Sequence, residues 1–259
     1  MASPTAVLET RDLTIQFGGH VAVNRVSCAF QAGTLTAIVG PNGAGKTTWF
    51  NLISGQLRAS AGSVHLFGED ITDLGVAARA DKGLGRAFQL TNLFPDLSAL
   101  ENVRLAVASR HRIGHVFWQM ASKRRDITDR AAEYLRQVNM LHRADDAVAN
   151  LSHGDQRKLE VALMLALEPT VFMFDEPTAG MSVDEVPVIL DLIAQIKQRE
   201  DKVVLLVEHK MDVVRSLADR IVVLHNGELV ADGEPTEVIA SPIVQEAYLG
   251  VAAEAEEGA

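Results

Sequence analysis

Cysteine is almost missing from this chain: Cys28 is the only one in 259 residues. A single thiol excludes an internal disulfide and any cysteine-built metal cluster, and points to a reducing, cytoplasmic setting. Cys28 lies in a strand-like stretch and reads as a small core residue. Long apolar runs are missing too. The densest, Val161 to Leu167, is far too short to cross a bilayer. The start, Met1 to Thr5, lacks the basic segment and apolar core of a secretory signal. Positive charge is in deficit: the net charge of −10 argues against a protein that coats nucleic acid, whose phosphates demand a basic surface. No repeat of solenoid period is found. If the protein serves a membrane, it is expected to do so as a peripheral subunit. Its hydrophobic content of 47% and its length suit a soluble chain with a sizeable core.

Against these absences stands one dense motif. Gly40, Pro41, Asn42, Gly43, Ala44, Gly45, Lys46, Thr47 and Thr48 fit the phosphate-binding pattern G-x-x-x-x-G-K-[ST]. The motif sits between a strand-like run, Leu35 to Val39, and a helix-like run, Thr47 to Leu57. Glycines let the backbone curl so that successive N–H groups point at phosphate oxygens, and the helix start adds its positive dipole end. Lys46 brings a point charge for the β- and γ-phosphates, and the Thr47 hydroxyl can ligate Mg²⁺. The bland alternative is a glycine-rich turn with no ligand.

Strands are expected at Leu8 to Phe17, Val21 to Phe30 and Ser63 to Phe67. From Asp96 to Glu168 the pattern turns helical, with helices at Leu97 to Ala108, Asp126 to Met140 and Asp155 to Leu167. This block reads as a helical lobe inserted into a nucleotide-binding core. Alternation then resumes: strands at Val171 to Phe174, Val203 to Val207 and Ile221 to Leu224, helices at Asp184 to Arg199 and Lys210 to Ala218. Fully apolar runs such as Val203 to Val207 suit a parallel sheet covered on both faces, hence an α/β core. The tail, 251–259, is acidic and reads as solvated. Arg110, His111 and Arg112, with Lys123, Arg124 and Arg125, flank Phe117 and Trp118. They read as a solvated helical face with two core aromatics rather than a docking surface.

Phosphoryl transfer also needs a carboxylate on the metal. Asp175 ends the run Val171 to Phe174 and is placed to hold Mg²⁺ through water; Glu176, one residue on, is placed to orient and deprotonate the attacking water. An acidic turn closing a core strand is the structural alternative. Glu208 and His209 end the next apolar run in the same way, and the imidazole can donate a hydrogen bond to a γ-phosphate. Ser152 with Asp155 forms a capping-box pattern, which needs no ligand to explain it. A capped helix start behind Gly154 is also an anion site, most useful facing another subunit's nucleotide.

Taken in order, these residues resemble the ATP-binding subunit of an ABC transporter over roughly residues 7–250. The resemblance implies an α/β P-loop NTPase of ABC type in a single domain. It has a mostly parallel core sheet, an N-terminal antiparallel β-subdomain (7–95 and 169–250 with the core) and an inserted helical subdomain (96–168). It assigns Phe17 to stacking on adenine, Gln89 to Mg²⁺ beside Thr47 and Asp175, Leu151 to Gln156 to a signature loop, and Ala179 to Asp184 to a D-loop. Two subunits would sandwich two ATP molecules, with Ser152 and Gly154 of one chain closing the site on the other. Lys46, Glu176 and His209 carry the chemistry. Gln89 would report nucleotide state to a membrane subunit. Ala179 to Met181, Glu208 to Asp212 and the closing Ala247 to Gly250 resemble the branched-chain amino acid importer branch, with urea-type relatives next.

The implied partners are a second ATP-binding subunit, the transmembrane permease subunits and, indirectly, a solute-binding protein, with no nucleic acid. The implied place is the cytoplasmic face of the inner or plasma membrane. Two departures stand out. His153 and Asp155 replace the glycine and glutamine usual in the signature loop, and Asp155 sets a negative charge near an expected phosphate. A weakly hydrolysing regulatory subunit, or a soluble ABC ATPase, are the competing readings.

Overall fold

The computed structural model describes residues 6–87, 93–110, 120–242 and 244–245. Gln89, the aromatic pair Phe117 and Trp118, the closing Ala247 to Gly250 and the acidic tail lie outside the described residues. The chain divides into two compact units. The first comprises Met1–Leu84, Thr170–Asp175 and Lys197–Ala259; the second comprises Gly85–Pro169 and Glu176–Ile196.

In the first unit, β1 (Leu8–Phe17), β2 (His20–Phe30), β4 (Ala61–Leu66) and β5 (Glu69–Asp70) form an antiparallel sheet in the order β2-β1-β4-β5. A second sheet runs β10 (Glu228–Gly233), β9 (Arg220–His225), β3 (Thr34–Val39), β8 (Val203–Val207), β7 (Val171–Asp175), while β6 (Leu84–Ala87) lies mostly in the second unit. Pairs β9-β3, β3-β8 and β8-β7 are parallel, whereas β10 is antiparallel to β9. Burial on both faces explains the unbroken apolar runs: every residue of β7 and β8 is buried. Successive side chains go to opposite cores. Ile38, Val222 and Leu224 enter the larger one with Trp49 and Phe50, while Ala37, Val39, Ile221 and Val223 enter the smaller.

Helix α1 (Lys46–Ser54) ends three residues before the expected Leu57, because Gly55 takes a left-handed φ of 81° that closes the helix. The chain between the sheets adds α2 (Val76–Asp81), and its Arg79 completes the end of α1. That guanidinium, 1% exposed, donates to Leu52 O (2.7 Å), Ile53 O (2.6 Å), Thr72 O (2.7 Å) and Leu74 O (2.8 Å). These include carbonyls that a helix end leaves without intrahelical partners. Strand β7 runs one residue further than expected and takes in Asp175.

In the second unit, α3 (Ala99–Arg110), α4 (Met120–Gln137) and α5 (His153–Leu167) pack on one another. A reciprocal capping box opens α3: Glu101 N–H donates to Ser98 Oγ at 3.1 Å and Ser98 N–H to Glu101 Oε2 at 3.0 Å. At α5 the expected box forms only by half. Asp155 N–H donates to Ser152 Oγ at 3.1 Å, but the Asp155 carboxylate turns to Arg143 and Lys158. The segment 176–196 also belongs to this unit and carries most of α6 (Val186–Lys197), whose Ile189, Leu192, Ile193 and Ile196 form its buried stripe. Helices α7 (Met211–Leu217) and α8 (Pro235–Ala240) complete the first unit.

Candidate functional site

Register brings the chemistry together. Across the parallel ladders Ile38 stands opposite Val207, and Val207 stands opposite Asp175. The residues following this row are Val39 and then the Gly40 loop at the end of β3, Glu208 and His209 after β8, and Glu176 after β7. Three motifs far apart in the chain therefore leave the same carboxyl edge of one sheet, which is where open α/β sheets place their ligands.

Two glycines shape the loop. At Gly40, φ is 150°, and a Cβ would lie 2.1 Å from Leu224 O; at Gly45, φ is 95°, and a Cβ would lie 2.4 Å from Ala22 O. Both neighbours are backbone, so no side chain can be fitted at either place without moving the sheet. Gly45 also starts α1, whose first turn holds no acidic residue and no capping side chain. Its N-terminal N–H groups thus face a place suited to an anion. Lys46, only 6% exposed, curls back and donates from Nζ to Gly40 O at 2.7 Å and Pro41 O at 2.9 Å. Thr47 is exposed at the mouth of this cradle and Thr48 is half-buried.

Asp175 is buried, with 2% exposure, at the end of β7. Glu176 follows with a left-handed φ of 50°. For a residue with a side chain this is a sparsely populated conformation, which functional sites often hold. On β8 the exposed His209 follows the buried Glu208, whose Oε2 accepts from the N–H groups of His209 (3.1 Å) and Lys210 (3.4 Å). Glu208 thus latches the turn that carries the imidazole. In the sequence alone Glu208 has no role beyond preceding His209 and belonging to the run Glu208 to Asp212. An acid two residues ahead of a backbone N–H was the available signal. Phe17 is 49% exposed at the end of β1.

The signature and D-loop residues lie in the second unit. Ser152 caps α5, His153 is exposed and Gly154 is buried. Asp155 carries a cation on each oxygen: Arg143 Nη1 on Oδ2 at 3.1 Å and Lys158 Nζ on Oδ1 at 3.2 Å. Lys158 also donates to Glu185 Oε1 at 2.8 Å. Burial works against the Lys158 charge, but hydrogen bonds to Glu185 and Asp155 outweigh it and hold the pKa above the ordinary lysine value. Glu185 is held below the usual carboxylate range, first by Lys158 and then by Ser182 N–H. The charge of Asp155, a concern when the sequence is read alone, is therefore answered within its own unit. Lys158, three residues after Asp155 on α5, was legible as an i,i+3 partner, whereas Arg143, twelve residues ahead, was not.

A parallel sheet whose carboxyl edge carries a glycine-walled anion cradle and a buried aspartate marks the class of nucleoside-triphosphate-binding proteins. Residues 23–179 match the family model described as ABC transporter. The chain is 38% identical over 252 residues to the high-affinity branched-chain amino acid transport ATP-binding protein BraF of Pseudomonas aeruginosa, covering 95% of this chain and 98% of that protein. It is 34% identical over 251 residues to the corresponding protein LivG of Escherichia coli K12, with the same coverage. Among solved structures, the ADP conformation of MJ1267, an ATP-binding cassette of an ABC transporter, superposes with a TM-score of 0.79 at 27% identity, covering 95% of this chain and 99% of that one. The dimeric bacterial cassette MJ0796 gives 0.77 at 26% identity, over 88% and 98%. The chain belongs to the ABC transporter family. It is an ATP-binding and ATP-hydrolysing cassette. No helix of the described residues is long and apolar enough to cross a membrane.

Proposed function

We propose that this chain is the ATP-hydrolysing subunit of an importer for branched-chain amino acids, working on the cytoplasmic face of the membrane beside permease subunits. A second ATP-binding subunit and a solute-binding protein complete the assembly. The observation that carries the ATPase chemistry is the shared row of Ile38, Val207 and Asp175, which aligns three motifs at one sheet edge. The substrate class rests on the likeness to BraF and LivG over 95% of the chain.

In this reading the loop amides and Lys46 take the β- and γ-phosphates. The Lys46 ammonium exchanges its bonds to the Gly40 and Pro41 carbonyls for phosphate oxygens, a stronger charge-assisted pairing. Phe17 stacks on the base. Glu176 takes a proton from water as the water oxygen bonds to the γ-phosphorus and the bond to the bridging oxygen breaks, leaving ADP and phosphate. His209, steadied by Glu208, donates to the γ-phosphate. The donor set suits Mg²⁺: a hydroxyl on Thr47 and a buried carboxylate on Asp175 are hard oxygen ligands beside a phosphate cradle. Thr47 and Asp175, with Gln89, would hold the ion, which supplies neutralisation of phosphate charge. Ser152 and Gly154 close the site on the partner subunit's nucleotide. The pairing of Asp155 with Arg143 and Lys158 supports full hydrolysis over a weakly hydrolysing regulatory role.

The test is Glu176→Gln in the assembled transporter. ATP binding should persist while kcat falls by about 100-fold or more, the usual range for losing a general base. Hydrolysis at the wild-type rate would remove Glu176 from this role.

A further inference from the structure

Gly154 is the one residue of the signature loop whose smallness is enforced by its own chain. A Cβ built there meets Glu185 and nothing nearer: Oε2 at 2.3 Å, Oε1 at 2.6 Å and Cδ at 2.7 Å. Such contacts are easily relieved when the neighbour is a free side-chain end. Here the end is tied. Oε1 accepts from Lys158 Nζ at 2.8 Å, and Oε2 accepts from Ser182 Oγ at 2.9 Å and Ser182 N–H at 3.2 Å. Glu185 N–H in turn donates to Ser182 O at 3.1 Å, closing a turn at the end of the segment Ala179 to Asp184.

We propose that Glu185 is a positioning residue that locks the first turn of α5 to the loop ending at Asp184, so that the signature loop and the D-loop present themselves as one rigid body. The lock has two halves. One is the carboxylate lying on the bare Cα of Gly154. The other is Lys158, 11% exposed in its side chain, which reaches from the next turn of α5 and holds Glu185 and Asp155 together. Arg143 steadies the far side of Asp155. Asp155 therefore acts as an anchor for Lys158 rather than as a ligand for phosphate. A glutamine, being uncharged, would anchor it less firmly. The consequence is mechanical: any shift of Ser182 or its neighbours is transmitted to Ser152 and Gly154 without loss. The effect on turnover rests on the reading that Ser152 and Gly154 meet a partner's nucleotide; the lock itself does not.

The experiment uses the full chain and the assembled transporter. With Glu185→Ala, hydrogen exchange should quicken at residues 152–158 and 179–186 and stay unchanged elsewhere. ATP affinity of the isolated chain, set by the loop at Gly40 to Thr48, should stay within twofold. ATPase kcat of the assembled transporter should fall about tenfold, with a lower Hill coefficient. Glu185→Gln keeps an acceptor for Ser182 but loses the negative charge that faces Lys158, and should fall between. The decisive arm is Gly154→Ala. In the wild-type background it should lower the melting temperature and kcat sharply. Added to Glu185→Ala it should cost at least tenfold less in kcat and little further in melting temperature. Equal cost in both backgrounds, or unchanged exchange in Glu185→Ala, would overturn the lock. If Ser152→Ala leaves ATPase untouched, the partner-site reading fails, yet the exchange and melting arms still decide for or against the lock.

Discussion

Val207 stands opposite Asp175 in the parallel ladder between β8 and β7. Residues 32 positions apart are thereby set side by side by the backbone register alone. The strand ends fix where Asp175 and His209 stand, and Ile38 opposite Val207 sets the phosphate loop beside them. The backbone ladder places the chemistry, so substitutions at the tips should change catalysis while leaving the fold intact.

Lys46 gives the first case. Its ammonium donates to the Gly40 and Pro41 carbonyls, and a nucleotide redirects it. Lys46→Ala should lower ATP affinity by about 10- to 100-fold, the range for losing one or two charge-assisted hydrogen bonds. Isothermal calorimetry reads it directly. Affinity equal to wild type would contradict the phosphate-loop assignment.

Arg79 should govern stability rather than chemistry. Removing it strips donors from the carbonyls of Leu52, Ile53, Thr72 and Leu74. At about 1 kcal/mol for each buried acceptor left alone, Arg79→Ala should cost about 3 kcal/mol or more. In a chain of this size that lowers Tm by roughly 6–10 °C. Arg79→Lys should recover less than half, since an ammonium cannot fork to four acceptors. A melting curve matching wild type would show that water replaces the guanidinium.

Cys28 carries a pH signature. Burial, opposed in part by Arg220, pushes its thiol from 9.0 up to about 12. The unfolded chain gives up this proton near pH 9 and the folded chain holds it. The contribution to stability is therefore complete below pH 9 and declines as pH rises toward 12. Urea titrations at pH 8 and pH 10.5 should show the decline, and Cys28→Ala should remove that component. At pH 8 the native thiol should resist an alkylating reagent that labels the unfolded chain quickly. Equal labelling in both states would refute the burial argument.

The phosphate loop, the strand-end acids and the order of the motifs are legible in the sequence because each is a local pattern. A glycine-rich turn, a short apolar run and an acid at its end are neighbours along the chain. Helix limits were less legible. Leu57 keeps helical spacing with Ile53, yet the left-handed Gly55 ends α1 at Ser54. The Ser152–Asp155 pattern looked reciprocal, yet the carboxylate found stronger partners in Arg143 and Lys158. Arg79 and Glu185 were not legible at all. An isolated charge between unrelated segments reads as solvent-facing until the fold brings acceptors or donors to it.

Local spacing was enough to pick out the residues: the glycine-rich loop Gly40 to Thr48, the strand-end acids Asp175 and Glu176, and His209. Folding decided which of these stand together and what holds them. Strand register depends on pairing between segments more than 100 residues apart, as Ile38 with Val207 shows. Ion pairs such as Lys158 with Glu185 depend on which helix faces which loop. Neither quantity is written in any short stretch of chain, because both are properties of contacts and not of neighbours.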